Sequence, residues 1–397
     1  MHHTATISQH RLPKPVIKVN LGSFFLSLLE ATFNLGYFAY LIEITGTVGV
    51  ANWMIAVFWL ALFVFELPTG YLVDKWGAKK AYIVASIIRA VAFIFFFFGE
   101  KSLALLITAN ILAGVSVTFF TGLFSMQTRL LQEKYHLNIN LEYAIRNVTM
   151  LGYLGTALGT VIGFLIIRSY PLKTLWLAAI AISSLSIGYV LFAWETIVRP
   201  IKQSALKHVI DGAKLVFGRG ELRFYSVMNF LIYAALLSHM TNWVSVFVPR
   251  LAQDPVRLFA ATILVILLKT ISSWCWKFVQ TTNSLRLFSL TFLTAVFMAG
   301  SSWPNYEVAL VSFVGFCFTS TWVGILIHTN LMRVLPINEA GVVSSFQSLF
   351  ENFAGVLGYA TLGWVLLEVS VQTTWLVSSL IVFLASAFFI KLPPTGR

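Results

Sequence analysis

The stretch ELPTGYLVDKWGAKK, Glu66 to Lys80, carries a proline, two glycines, two acidic residues and three lysines between two long apolar runs. Turn formers and charge crowded together in this way mark a tight polar connection. What lies on either side follows from composition. The chain is 58% hydrophobic, 15% aromatic and 11% charged, with a mean hydropathy of +0.84. A soluble domain is about a quarter charged. Packed as a water-soluble body, this chain would leave too much apolar surface in contact with water, so much of its solvent must be lipid.

Working outward from the loop, the apolar runs predict twelve helical spans: 19–43, 49–72, 81–99, 102–128, 145–168, 172–193, 224–248, 256–280, 284–303, 306–331, 341–366 and 370–391. A helical crossing needs about 20 mostly apolar residues. Alternating barrel strands of about 10 residues do not fit such continuous runs. The polar, basic segment ahead of the first run reads as a tail before a retained span rather than as a signal peptide. With the N-terminus placed in the cytosol, 20 of the 27 lysines and arginines fall on the cytosolic side. The positive-inside rule favours that orientation, with both termini cytosolic. The net charge of +12 is then a matter of topology and calls for no nucleic-acid partner.

The longest polar connection, 195–223, divides the spans into an N-terminal half, 1–194, and a C-terminal half, 224–397. Within it Leu206, Val209, Ile210, Ala213, Val216 and Phe217 share one helical face, opposite Lys207, Asp211 and Lys214. That pattern predicts a short amphipathic helix on the cytosolic membrane surface. Two six-helix halves joined by a cytosolic linker are the plan of an internally duplicated transporter.

The opening stretch therefore joins the second and third spans on the cytosolic side. Gly70, Asp74, Lys75, Gly77, Lys79 and Lys80 stand in a spacing that resembles the loop signature of the major facilitator superfamily. The preceding Glu66-Leu-Pro68-Thr-Gly70 resembles a subgroup rich in bacterial drug and metabolite exporters. The resemblance implies an all-α membrane protein with twelve helices in two halves, working by alternating access. It also implies that this loop clasps the cytosolic side as a gate. Physically, Gly70 and Gly77 suit close approach and a tight reversal. Asp74 suits a helix N-terminus, and the three lysines suit anionic lipid heads. The sequence departs from the exporter pattern in its fifth span, where Thr160 replaces the family's proline. There Gly155, Gly159 and Gly163 form a small-residue stripe for close packing. A second copy of the loop signature, expected at 276–286, has decayed.

The resemblance directs attention to the first, fourth, seventh and tenth spans as cavity-lining helices. Ser23, Ser27, Glu30, Asn34 and Tyr37 share one face of the first. Thr118 and Thr121 belong to a similar stripe on the fourth, Asn242 and Trp243 sit on the seventh beside Ser238 and His239, and Trp322 and His328 lie on the tenth. Serine and threonine also occur in membrane helices because they bond their own backbone. Uncharged hydroxyls among aromatics fit a moderately apolar organic substrate.

Four ionisable residues lie well inside spans: Glu30, Arg89, Lys269 and Glu351. Each costs about 2.5 to 3.5 kcal/mol if it faces lipid as a charge. Their charges cancel, so pairing is possible. Glu30, Lys269 and Glu351 sit near the midplane and are candidates for proton coupling, with Lys269 as a possible partner of Glu30. Arg89 reads as one member of a structural ion pair. Glu351 shares a face with Ser344, Ser348, Gly355 and Gly358, which fits helix packing as well as coupling.

The expected protein is a monomeric carrier in the bacterial inner membrane that exports a small amphipathic compound against inward proton flow. Uptake of a nutrient or metal chelate, or sensing without transport, are the alternatives. Cys275 and Cys317 provide no disulfide framework or metal spacing. No metal site, cofactor motif, P-loop, H-E-x-x-H pair or G-x-S-x-G elbow is present, so an enzyme is not expected.

Overall fold

Hydrocarbon offers a bare backbone no water to bond with, so each crossing segment must satisfy its own amides. In the computed structural model of the protein the apolar runs are accordingly helices. Residues 13–121, 123–135, 141–197, 205–247, 255–275, 284–334 and 340–390 are described. Among them are fourteen α-helices, a 3-10 turn at Gly99–Lys101, and no strand. The helices are α1 (Lys14–Thr45), α2 (Val48–Trp76), α3 (Ala78–Phe97), α4 (Leu103–Phe120), α5 (Leu123–Lys134), α6 (Leu141–Ser169), α7 (Thr174–Ala193) and α8 (Ala205–Gly218). They continue with α9 (Gly220–Phe247), α10 (Pro255–Cys275), α11 (Ser284–Ser301), α12 (Tyr306–Val334), α13 (Ala340–Val365) and α14 (Val371–Ile390). Ten of them are long and apolar enough to cross a bilayer, and α10 and α13 cover the eighth and eleventh expected spans. The protein is an all-helical, multi-pass membrane protein.

Four of the helices start on a side-chain cap. Thr47, Ser102, Asn305 and Ser370 accept backbone N–H groups at the starts of α2, α4, α12 and α14. Each cap satisfies an amide that would otherwise lack a partner.

The fourth expected span, 102–128, is corrected to two helices. Thr121 ends α4 with φ −58° and ψ 119°, and α5 resumes at Leu123. An extended ψ at a β-branched residue interrupts the i to i−4 ladder that a continuous span requires. The degenerate 276–286 loop lies mostly outside the described residues, as do the side chains of His328, Ser344 and Cys275.

Contacts divide the chain into two units. The first is Met1–Gly36 with Phe65–Lys202, and the second is Tyr37–Val64 with Gln203–Arg397. Tyr37–Val64, the far portion of the α1–α2 hairpin, thus groups with α9 to α14.

In the first unit the glycines of α6 pack directly on the α1 backbone. A Cβ at Gly155, Gly159 or Gly163 would strike the carbonyls of Phe24, Leu28 and Thr32 respectively. The stripe brings two backbones together. Nearby, Trp176 is fully buried and stacks on Phe93 at 5.8 Å and Phe96 at 4.5 Å. In the second unit glycines meet aromatic rings instead. A Cβ at Gly355 would strike the Trp59 indole, and one at Gly363 would strike Trp53. Helix α8 packs on α13 through Phe217, edge-on to Phe346 and Phe350, so α13 takes part of its apolar face.

Candidate functional site

Three helices of the first unit hold the Glu30 site. Arg89 of α3 is 3% exposed, and its Nη1 donates to Glu30 Oε1 of α1 at 3.0 Å. Its Nε donates to Ser116 Oγ of α4 at 3.0 Å, and Ser116 in turn donates to the Ala113 carbonyl. The Phe120 ring lies under the guanidinium, 5.3 Å from its centroid. The planar fork of arginine lets one side chain hold a carboxylate and a hydroxyl together. Glu30 is different: its side chain is 40% exposed, and Asn34 is exposed one turn further along. Ser23 and Ser27 of the same stripe face α6, where Ser23 bonds the Asn20 and Val148 carbonyls and Ser27 lies against Gly152.

The two cavity candidates of the fourth span lie within α4 and at its end. Thr118 is buried and bonds the Val115 carbonyl, while Thr121 is the exposed residue that ends the helix. Ser116, two residues from Thr118 and about 200° round the helix, is the residue that meets Arg89. Its only signal in the sequence is a hydroxyl one turn before Phe120.

The second unit holds Glu351 of α13. Its Oε1 accepts Asn229 Nδ2 of α9 at 2.7 Å and Gln347 Nε2 at 3.3 Å. Among the described residues it forms no ion pair. One turn on, Gly355 lies under the Trp59 indole. Two turns on, Tyr359 stacks on Trp59 at 6.2 Å and shares a 2.6 Å hydrogen bond with Thr241. Tyr233, one turn from Asn229, meets Trp59 edge-on at 6.2 Å. Tyr37 is half-buried within electrostatic reach of Tyr359. Asn229, Tyr233, Trp59 and Tyr359 were not singled out in the sequence, because no period on one helix reveals a cluster drawn from three.

The remaining cavity candidates bond inside the second unit. Asn242 accepts from Asn52 Nδ2 of α2 at 3.0 Å, and both amides are buried. Trp243 stacks on Phe313 at 5.9 Å. Trp322 Nε1 donates to the Ser272 carbonyl at 2.9 Å. His239 is buried against Trp375, with Nε2 3.3 Å from the Met298 carbonyl. Lys269 is half-buried on α10. Among the described residues no three His, Cys, Asp or Glu side chains gather as metal ligands would.

The opening loop sorts its own residues. Gly77 has φ 78° and starts α3, a conformation that costs any residue with a Cβ. Gly70 is helical, and among the described residues a Cβ there would meet nothing within 4 Å. Lys79 Nζ donates to the Leu191 carbonyl at 2.8 Å, near the end of α7, where a helix dipole favours a cation. Lys80 lies over Trp76, while Asp74 and Lys75 are exposed. At the end of α5, Lys134 pairs with Glu195 at 2.7 Å, and Tyr135 donates to the same carboxylate. The hydrogen bond from Lys134, then that from Tyr135, holds the Glu195 carboxyl below its ordinary pKa. The bond to Glu195 raises that of Lys134.

The Major Facilitator Superfamily profile matches residues 19–358. No curated protein sequence matches the chain. Several solved transporters share its fold. The nucleoside transporter NupG is 12% identical, with a TM-score of 0.76 over 96% of this chain and 100% of its own. A D-xylose-proton symporter is 12% identical, with a TM-score of 0.70 over 96% and 98%. The human organic anion transporter MFSD10 is 13% identical, with a TM-score of 0.65 over 96% and 100%.

Proposed function

This chain belongs to the Major Facilitator Superfamily, whose members are transporters and not enzymes, and we propose that it exports a small amphipathic organic compound by alternating access in exchange for protons. Members of the family bind small molecules, often with proton coupling; the chain is a secondary transporter. Export rests on the likeness of Glu66 to Gly70 to an exporter subgroup. The same reading has twelve spans in two six-helix halves, with both termini in the cytosol of a bacterial inner membrane.

The observation that carries proton coupling is the asymmetry of the Glu30–Arg89 pair. The buried guanidinium has two supports besides Glu30, namely Ser116 Oγ and the Phe120 face. A proton that arrives on the 40% exposed carboxylate weakens the ion pair without stranding Arg89 unsolvated. Protonation and deprotonation of Glu30 can therefore alternate at modest cost, whereas a fully enclosed pair would resist. Asn34 and Tyr37 lie one and two turns further along the same helix, placed to report a substrate to that carboxylate. Glu351 and Lys269 are the further coupling candidates, and the 70–80 loop is the proposed cytosolic gate.

Vesicles of both orientations test direction. Under an imposed proton gradient, labelled amphipathic compounds should accumulate in inverted vesicles carrying the protein. Accumulation confined to right-side-out vesicles would make it an importer.

A further inference from the structure

We propose that Glu351 and the rings above it recognise the cationic group of the transported compound, so that the substrate class is an organic ammonium bearing an apolar or aromatic body; this rests on the reading of the chain as a transporter. Glu351 is partly exposed, and the question is to what. At about 100° per residue, Leu357 and Trp364 lie about 240° and 220° round α13 from it, and both are exposed apolar side chains. Glu351 lies on the other side of the helix, so its exposed part adjoins Asn229 of α9 and, one turn on, the Trp59 indole of α2.

The partners of the carboxylate are two neutral amides, Asn229 and Gln347. Among the described residues these are its partners, and they orient it but bring no opposite charge. An unbalanced carboxylate in a low-dielectric interior is costly, and a cation relieves that cost. Glu30, by contrast, already has Arg89. What the interior presents next to Glu351 is aromatic. Tyr233 lies within electrostatic reach of the carboxylate, and Trp59 joins it to Tyr359 through ring contacts at 6.2 Å on each side. Ring faces attract ammonium groups, quaternary ones included, and combine with a carboxylate without demanding a hydrogen bond from the ligand. A sugar or nucleoside would instead need an array of directional donors and acceptors. Gly355 is part of the design, because any larger residue would push Trp59 off α13.

The test is calorimetric titration of the purified full-length protein in detergent with benzyltrimethylammonium, using benzylsulfonate as the charge-reversed control. Saturable binding of the cation alone is expected. Glu351→Gln should weaken it by about tenfold or more, and Trp59→Leu by about two- to thirtyfold. Glu195→Gln, at the exposed pair with Lys134, should leave it unchanged. Cation binding that survives Glu351→Gln, equal binding of the sulfonate, or no saturable binding by the wild type would each overturn the proposal. If Glu351→Gln does not elute as a single species, Trp59→Leu carries the test, and unchanged affinity there counts against it. Saturable binding with no accumulation of the cation in vesicles would remove the transport reading and leave the cation site. Proton-driven accumulation of neutral compounds without cation binding would do the reverse.

Discussion

The two intramembrane carboxylates, Glu30 and Glu351, are the same chemical group made into different devices by their neighbours. Glu30 faces a buried arginine across 3.0 Å, so its negative charge is matched and held in place. Among the described residues Glu351 faces amides, which orient it but bring no opposite charge. The helices around them differ in the same way. In the first unit glycines of α6 rest on the α1 backbone, and in the second those of α13 rest on tryptophan rings of α2. Backbone cannot yield to an added methyl group, whereas a ring can tilt. The first site is a matched, half-exposed charge pair beside backbone packing, and the second is an amide-held carboxylate in adjustable aromatic packing.

Removing the partner of each carboxylate should expose this difference most strongly. Arg89→Leu deletes the matching charge and should cost about 3 kcal/mol of stability, the low end for a broken buried pair because Glu30 is itself 40% exposed. Asn229→Leu removes one neutral hydrogen bond and should cost about 1 to 2 kcal/mol. Thermal midpoints in detergent compare them, and equal losses would erase the distinction between the two sites. The packing contrast comes next. Gly159→Ala should cost about 2 kcal/mol and Gly355→Ala about 1 kcal/mol, since overpacking is worse where the neighbour is backbone; the reverse order would mean that the indole is the more rigid wall.

A smaller contrast lies within the opening loop. Gly77→Ala should cost about 1 to 2 kcal/mol for its positive φ. Gly70→Ala should be neutral or gain up to about 1 kcal/mol from helix propensity. Matching losses at both would restore the idea that they serve one motif role.

The smallest effect belongs to Lys134 and Glu195, a pair largely in water. Glu195→Gln should change stability by less than about 1 kcal/mol. The Glu195 carboxyl is held below its ordinary pKa, so its contribution is present above the ordinary carboxylate range and fades as pH falls through the lowered value. Lys134 is raised above its ordinary 10.5, so its contribution is present below that value and fades as pH rises past the raised one. Between those limits the melting temperature of the wild type minus that of Glu195→Gln should be flat with pH. A slope near neutrality would mean that another group is involved.

Much of this was legible in the sequence because hydrocarbon imposes it. Lipid demands long apolar helices, close packing demands a glycine stripe such as Gly155, Gly159 and Gly163, and a tight reversal demands Gly77. Pairing was not legible. Depth along a span is countable, which is why Lys269 was an equal candidate for Glu30. Which charge meets which depends on how each helix is rotated and on its neighbours, and there Arg89 and Ser116 prevail. The break at Thr121 was hidden for a related reason: one extended residue leaves the hydropathy of 102–128 unchanged. Lys79 illustrates the same limit, since a lysine suited to lipid heads is spent on the Leu191 carbonyl.

The central claim is that Glu30 moves the proton while Arg89 stays charged beneath it. Its most direct measurement is a pair of assays on Glu30→Gln in proteoliposomes, one for uphill transport under a proton gradient between pH 6 and 8, one for counterflow exchange without a gradient. Uphill transport should be lost and exchange should persist, because a loaded cavity can alternate without moving a proton. Normal uphill transport by Glu30→Gln across that range would contradict the claim and pass the proton to Glu351.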